Sequence, residues 1–345
     1  MTVETSIALP ALVGDIGGTN ARFQYVVSKD EPVIEFDTVA TADFETVEDA
    51  IRQAVLDQSD IRPATAILAA AGPITRNGLD LTNCHWNIRP EKFLDAGPFR
   101  NLLLMNDFEA QALSLPFLTD HDLHDLEPLT GSKPTATGQQ RATKAVLGPG
   151  TGLGVALLVH AAGMWVPVAG EGGHVDLGPR NDREAELFAH LEKVGGRVSG
   201  EQVVCGPGLF NIYQACCAAD GMSPELNSPA EISSAAMAGQ SPQAVEALEV
   251  FCTCLGRLAG DLALTSMATG GVYISGGIAR KILPFLENSG FRAAFDDKAP
   301  HQAIVSNIKT RVVTRDIPAL LGLSQFARSP EAFALDIAHR WWTRT

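Results

Sequence analysis

Three apolar runs in this chain each end in a glycine-rich turn, and no other feature limits the fold as strongly. "ALVGDIGGTNARF" (Ala11–Phe23) enters Gly14, one acid and two more glycines before Thr19, then returns to apolar residues. "AVLGPGTGLGVALLV" repeats the theme from Ala145, and "VYISGG" enters a third turn, Ser275–Gly277. Without a Cβ, glycine lets successive backbone N–H groups converge on an oxyanion. One such turn reads as a tight hairpin. Three of them, two with threonine beside the glycines, read as phosphate-binding turns. None fits GxxxxGK[ST], so no P-loop is expected, and none fits GxGxxG, which argues against a Rossmann site.

Laid side by side, the first two segments put Gly14 over Gly148. Two similar hairpins far apart in one chain imply two related halves facing a shared cleft. The 345 residues are enough for about two domains. Between the turns, strand and helix signals alternate, which indicates an α/β fold. Ala11–Val13, Ala21–Val27, "ATAILAAAGPI" and "NLLLMNDF" read as strands. Thr46 to Leu56 reads as a helix opened by a Thr46–Asp49 cap pair. Asn181 with Glu184 opens another, expected to end at Gly195-Gly196. Ser241-Pro242 opens a third, with Val245, Leu248, Cys252, Leu255, Ala259 and Leu262 on one stripe, stopping near Gly270-Gly271. The polar stretch Leu129 to Arg141 reads as an exposed loop.

Lys and Arg number 26 against 40 Asp and Glu, a net charge of −14. That excludes nucleic acid and anionic membrane as expected partners, since both need a basic surface, but not a small anionic ligand held locally. The segment "MTVETSIALPALVGD" has no basic region and no long apolar run, so no signal peptide is expected. The uncharged stretch Ala145–Gly170 is long enough for a bilayer, but it carries six glycines and two prolines. Turns of that kind leave backbone groups unsatisfied in lipid. Six cysteines at 84, 205, 216, 217, 252 and 254 show no paired CxxC spacing. Reduced thiols in the cytoplasm are expected.

Asp15 sits within the first turn. A carboxylate beside a phosphate repels it unless a cation lies between, and hydrated Mg2+ takes one or two carboxylates plus phosphate oxygens. An Asx-type turn stabiliser is the other reading of this acid.

"GDIGGTNARF", "LLLMNDFEA", "LGPGTGLGVA", "GEGGHVD", "SGEQVVCGPGL" and "ISGGI" occur in the order and rough spacing of the bacterial glucokinase family, and from about Ala11 to Leu321 the chain resembles it. That family belongs to the hexokinase, Hsp70 and actin superfamily. The resemblance implies two related α/β domains of the actin-like ATPase (ribonuclease H-like) type flanking a cleft that closes on sugar. It places a smaller domain at 1–117 and a larger one at 118–317, with a C-terminal helix at about 318–345 packing back on the first. It implies transfer of the γ-phosphoryl of ATP to the 6-hydroxyl of D-glucose, with Mg2+, in a homodimer. A related hexose or amino-sugar kinase, or a non-catalytic ATP or sugar sensor of the same superfold, is the alternative, because fold does not fix function.

Phosphoryl transfer to an alcohol needs a group that takes the hydroxyl proton. Asp107 ends an apolar strand and precedes a helix, and the family's base matches this position. An N-cap is its competing role. Asn106 can both donate to and accept from a sugar hydroxyl. By resemblance Glu171, His174 and Glu201 also bind glucose. Asn83 and Trp86 in "LTNCHW" can line the sugar, though a packed Trp86 is the better reading. The three turns would hold ATP through Gly14, Asp15, Ile16, Gly17, Gly18 and Thr19, through Gly150, Thr151 and Gly152, and through Gly276 and Gly277. In the neighbouring repressor–open-reading-frame–kinase family the corresponding His binds zinc with a close CxCGxxGC cluster. Here the next cysteine after His174 is Cys205, standing alone, so no structural zinc is expected. Only 13 residues precede Gly14, so the DNA-binding domain of that family's repressors is not expected.

Overall fold

The computed structural model describes residues 7–127 and 141–344. Of the stretch Leu129 to Arg141, expected to be an exposed loop, all but Arg141 lies outside the described residues. The described residues form two compact units. One takes those up to Leu118, Leu158–Ala169, and those from Asp316 onward; the other takes those of Thr119–Leu157 and Gly170–Arg315. A division at 117/118 and 317/318 has no place for Leu158–Ala169, which groups with the first unit.

The first unit is built on strands β1 (Ala11–Ile16), β2 (Asn20–Val26), β3 (Ile34–Glu35), β4 (Val39–Ala40) and β5 (Thr65–Ala70). A small sheet of β6 (Ile74–Thr75), β7 (Gly78–Asp80) and β8 (Asn87–Ile88) follows, and then β9 (Asn101–Asn106). β1 and β2 are an antiparallel hairpin, whereas β1, β5 and β9 run parallel. Thr65–Ala70 is buried at every position, as a parallel strand covered on both faces must be. The helix Val47–Ala54 starts where the Thr46 side chain accepts from Asp49 N. Trp86 is in this unit's core, its Nε1 donating to Phe44 O, so it packs and does not line a sugar.

The C-terminal segment differs from expectation. Its helix spans Pro318–Arg328 and does not continue to residue 345. Pro330, two residues on, cannot continue the helical ladder. The chain instead returns as a strand, Trp341–Thr343, antiparallel to β9. Helix Pro318–Arg328 lies close against helix Asp107–Ser114. A Cβ on Gly322 would stand 2.1 Å from Ala110 O, so only glycine permits this approach.

A second sheet uses β10 (Leu123–Asp125), β11 (Lys144–Pro149), β12 (Leu153–Ala161), β13 (Met164–Gly170), β14 (Val272–Ile274) and β15 (Thr310–Val313). With Trp341–Thr343 as β16, the first sheet runs β16-β9-β5-β1-β2-β3 and the second β10-β15-β14-β11-β12-β13. Apart from β4, which pairs with β2 off this path, the orders match strand for strand, edge strand included. β11, β14 and β15 run parallel like β1, β5 and β9, and β10 joins antiparallel like β16. The alignment of Gly14 with Gly148 is the sequence trace of this duplication.

Between β13 and β14 the second unit carries its helices. Helix Asp182–Ala189 opens on Asn181, whose side chain accepts from Glu184 N. It stops well before Gly195-Gly196. Those glycines, at φ 61° and 85°, make the tight turn of a short bridge between Val194 and Arg197. Helix Pro242–Ser266 is capped by Ser241 and ends at Met267 in the left-handed conformation. All six cysteines are unpaired, and no described helix is long and apolar enough to cross a membrane.

Candidate active site

In the first unit the glycine turn is narrower than the motif. Gly14 and Ile16 lie inside β1, both buried. A Cβ on Gly14 would meet Leu68 at 2.7 Å and Phe23 at 2.9 Å, so packing accounts for this glycine and it is not part of the turn. The turn itself is Gly17–Thr19, with Gly18 and Thr19 exposed and Gly17 N donating to Asn20 O. Gly18 backs onto Asn83, whose backbone O would stand 2.7 Å from an added Cβ.

Asp15 is the second-last residue of β1. The hairpin register sets it opposite Arg22, whose Nη1 lies 4.0 Å from Asp15 Oδ2. Burial, and then the charge of Asp107, push the Asp15 carboxyl up to about 6, with Arg22 pulling the other way. The turn spacing alone pairs residues 15 and 22, so Arg22 was within reach of the sequence reading and was missed.

Asn106 and Asp107 fall at the end of β9, where the strand becomes a helix. Asn106 is extended, and its Oδ1 accepts from Phe108 N at 2.9 Å and Glu109 N at 3.2 Å. Asn106 is therefore the N-cap, and Asp107, the first helical residue, is not. With its oxygen committed to the cap, Asn106 offers a ligand its amide donor only, not the donor-and-acceptor pair expected of it.

The second unit gathers the other candidates around β11 and β12. Gly150 N donates to Gly152 O at 2.8 Å, closing the turn, and Thr151 is exposed at its tip. Glu201 reaches this hairpin: its Oε2 accepts from Leu153 N at 2.8 Å. A Cβ on Gly152 would stand 2.5 Å from that same Oε2. The glycine is what admits the carboxylate. Gly173, in the GEGGH turn, packs on Leu153 O, and Glu201 N donates to Gly173 O. His174 stands between two acids, with Nδ1 3.4 Å from Glu171 Oε2 and Nε2 3.4 Å from Glu201 Oε1. Glu201 is 33% exposed and Glu171 89%, so the first is built in and the second reaches outward.

The third turn adjoins the second. Ser275 N donates to Leu147 O, and Gly276, at φ 94°, has Pro149 O 2.7 Å from where a Cβ would be. Gly277 is exposed and opens a five-residue helix. Gly206 N also donates to Gly150 O, so "SGEQVVCGPGL" is tied to the same turn at both Glu201 and Gly206. The structure thus assembles two sets. Asp15, the Gly17–Thr19 turn, Asn83, Asn106 and Asp107 belong to the first unit, and the remaining candidates to the second. Among the described residues no three His, Cys, Asp or Glu side chains converge to hold a metal ion.

The paired sheets, each with a glycine hairpin, are those of the sugar kinases of the actin-like ATPase fold. The chain belongs to the glucokinase family, whose model matches residues 12–330. It is 50% identical over 339 residues to a glucokinase of Brucella suis biovar 1 (strain 1330), covering 98% of this chain and 97% of that one. The crystal structure of a glucokinase from an Antarctic psychrotroph superposes with a TM-score of 0.79 at 34% identity, covering 91% of this chain and 97% of that one. A glucokinase from Balamuthia mandrillaris in complex with glucose gives 0.74 at 25% identity, covering 92% and 93%.

Proposed function

We propose that this chain is an ATP-dependent glucokinase that passes the γ-phosphoryl of ATP to the 6-hydroxyl of D-glucose, giving glucose 6-phosphate and ADP. It works as the first step of glycolysis, in the cytoplasm, as a homodimer. The observation that carries the reading is the Asn106-Asp107 junction. Asn106 caps the helix, and Asp107 follows it as the first helical residue at the strand end, the position that matches the family's base, so Asp107 serves as the base.

Asp107 takes the proton of the 6-hydroxyl as that oxygen bonds to phosphorus and the bond to the ADP oxygen breaks. Glu171, His174 and Glu201 bind sugar hydroxyls: the carboxylates accept, and the imidazole donates or accepts according to its tautomer. Asn106 adds its amide donor. The exposed turns Gly17–Thr19, Gly150–Gly152 and Gly276–Gly277 offer backbone N–H groups to the phosphates.

Asp15 fits a magnesium ion carried with ATP. It is a hard oxygen donor held near another carboxylate, and its raised pKa marks a place short of positive charge. When bound, such an ion neutralises charge on the phosphates. A coupled assay of ADP release with and without glucose tests the reading. Glucose-dependent release is expected; equal release without sugar, or none with it, overturns the proposal.

A further inference from the structure

Helix Asp107–Ser114 is held from its far side by a residue more than 200 positions away in the chain. Glu109, two residues after Asp107, is 2% exposed. On a helix, a separation of two residues puts side chains on nearly opposite faces. Glu109 therefore turns inward while Asp107 stays partly exposed. Both Glu109 oxygens are taken by Arg340: Nη2 donates to Oε1 at 2.8 Å and Nη1 donates to Oε2. This is the two-pronged geometry in which a guanidinium fixes orientation as well as charge. Arg340 is itself fixed, with Nε donating to Asp336 O at 2.6 Å and its own backbone O accepting from Leu104 N at 3.1 Å. Trp341, Trp342 and Thr343 then pair with Leu103, Leu102 and Asn101. One residue thus grips both sides of the strand-to-helix junction, with its backbone on β9 and its side chain on the first turn of the helix.

We propose that Arg340 is a positioning residue for Asp107: its paired hydrogen bonds to Glu109, braced on β9, set the direction in which the Asp107 carboxylate meets the sugar 6-hydroxyl. The proposal rests on Asp107 being the base. Without the pair, the helix would still be capped by Asn106 and packed on Gly322, but its first turn could rotate about that packing. Rotation of this kind moves the reacting oxygen while leaving the sugar and nucleotide contacts intact. A displacement of about 1 Å at the reacting group is worth up to about 100-fold in rate.

The test is steady-state kinetics and thermal melting on wild type, Arg340→Lys, the double variant Glu109→Gln/Arg340→Gln, and Asp107→Asn. The double variant removes both charges of the pair together and so leaves neither partner unpaired, and its Tm should remain near wild type. If the pair positions the base, its kcat should nonetheless fall about 10- to 100-fold while KM for glucose and ATP stays within about threefold. Arg340→Lys keeps the charge but loses the fork, and should show the same split to a lesser degree. A double variant with wild-type kcat overturns the proposal, because the pair would then contribute to stability alone. Should the double variant fail to fold, unchanged kcat in Arg340→Lys overturns it equally. Asp107→Asn separates the two layers: if it stays active, the assignment of the base has failed, whatever Arg340 does.

Discussion

The hairpin β1–β2 and the hairpin β11–β12 occupy the same place in matching sheets, yet they treat their acids in opposite ways. In the first unit Asp15 sits half-buried near Asp107 with Arg22 at 4.0 Å, and its carboxyl is pushed up to about 6. That unit holds an acid at some cost. In the second unit Glu201 is satisfied by Leu153 N and faces His174, which also faces Glu171. Its acids are arranged before any ligand comes. A shared backbone therefore does not dictate a shared chemistry. One hairpin holds its acid protonated to higher pH beside a second carboxylate, and the other has its acid accepting from a backbone N–H.

Asp107→Asn strikes hardest at the first unit. It should lower kcat by roughly 10²- to 10⁴-fold, the usual worth of a positioned general base, and glucose binding followed by tryptophan fluorescence should change much less. A kcat within about threefold of wild type would move the base elsewhere.

Glu201→Ala and Glu171→Ala sharpen the view of the second unit. Leaving buried partners unpaired costs about 1–3 kcal/mol, so the glucose KM of Glu201→Ala should rise about 5- to 150-fold. Because Glu201 also holds Leu153 N in the second glycine hairpin, its ATP KM should rise too, though by less. The Glu171 side chain faces His174 and is largely exposed, so Glu171→Ala should raise the glucose KM alone. Identical kinetic profiles for the two variants would remove the distinction between a built-in and an outward-reaching acid.

The smallest effect concerns stability. The Asp15 carboxyl ionises at about 6 when folded, against a reference of 3.8. Between these values the folded state keeps a proton that the unfolded state releases, so stability falls as pH rises through this window, and the full cost applies above it. Asp15→Asn should therefore raise Tm by about 2–4 °C near pH 8 and by almost nothing near pH 4. An equal gain at both pH values would show that charge is not the cause. Lost activity in the same variant would place the stored cost in the service of catalysis.

Much of this was legible in the residues because the signals are local. The glycine turns, the caps at Thr46, Asn181 and Ser241, and the echo between Gly14 and Gly148 all depend on neighbours in the chain. Where two local roles competed, the sequence could not decide. Asn106 and Asp107 are both good caps, and only the extended backbone at Asn106 assigns the role. Gly14 looked like part of a phosphate turn because its reason for being glycine, the Phe23 and Leu68 side chains, comes from two other strands. The end of the C-terminal helix was misjudged because an edge strand so short has no periodicity to read. The Glu109–Arg340 pair spans 231 positions, and neither side chain has a local pattern that names the other.

Strand β16 has a consequence for how the protein is made. The first unit starts early in the chain, but its sheet takes its outer strand, and helix Asp107–Ser114 takes the arginine that holds Glu109, from residues past Asp316. During synthesis β1, β2, β5 and β9 emerge early and must wait through the whole second unit. Contacts of such sequence separation form slowly. The nascent chain therefore displays an unfinished sheet edge at β9 for most of its translation, the kind of exposed edge that recruits chaperones or other chains. Strands translated before the second unit are completed only by residues translated after it.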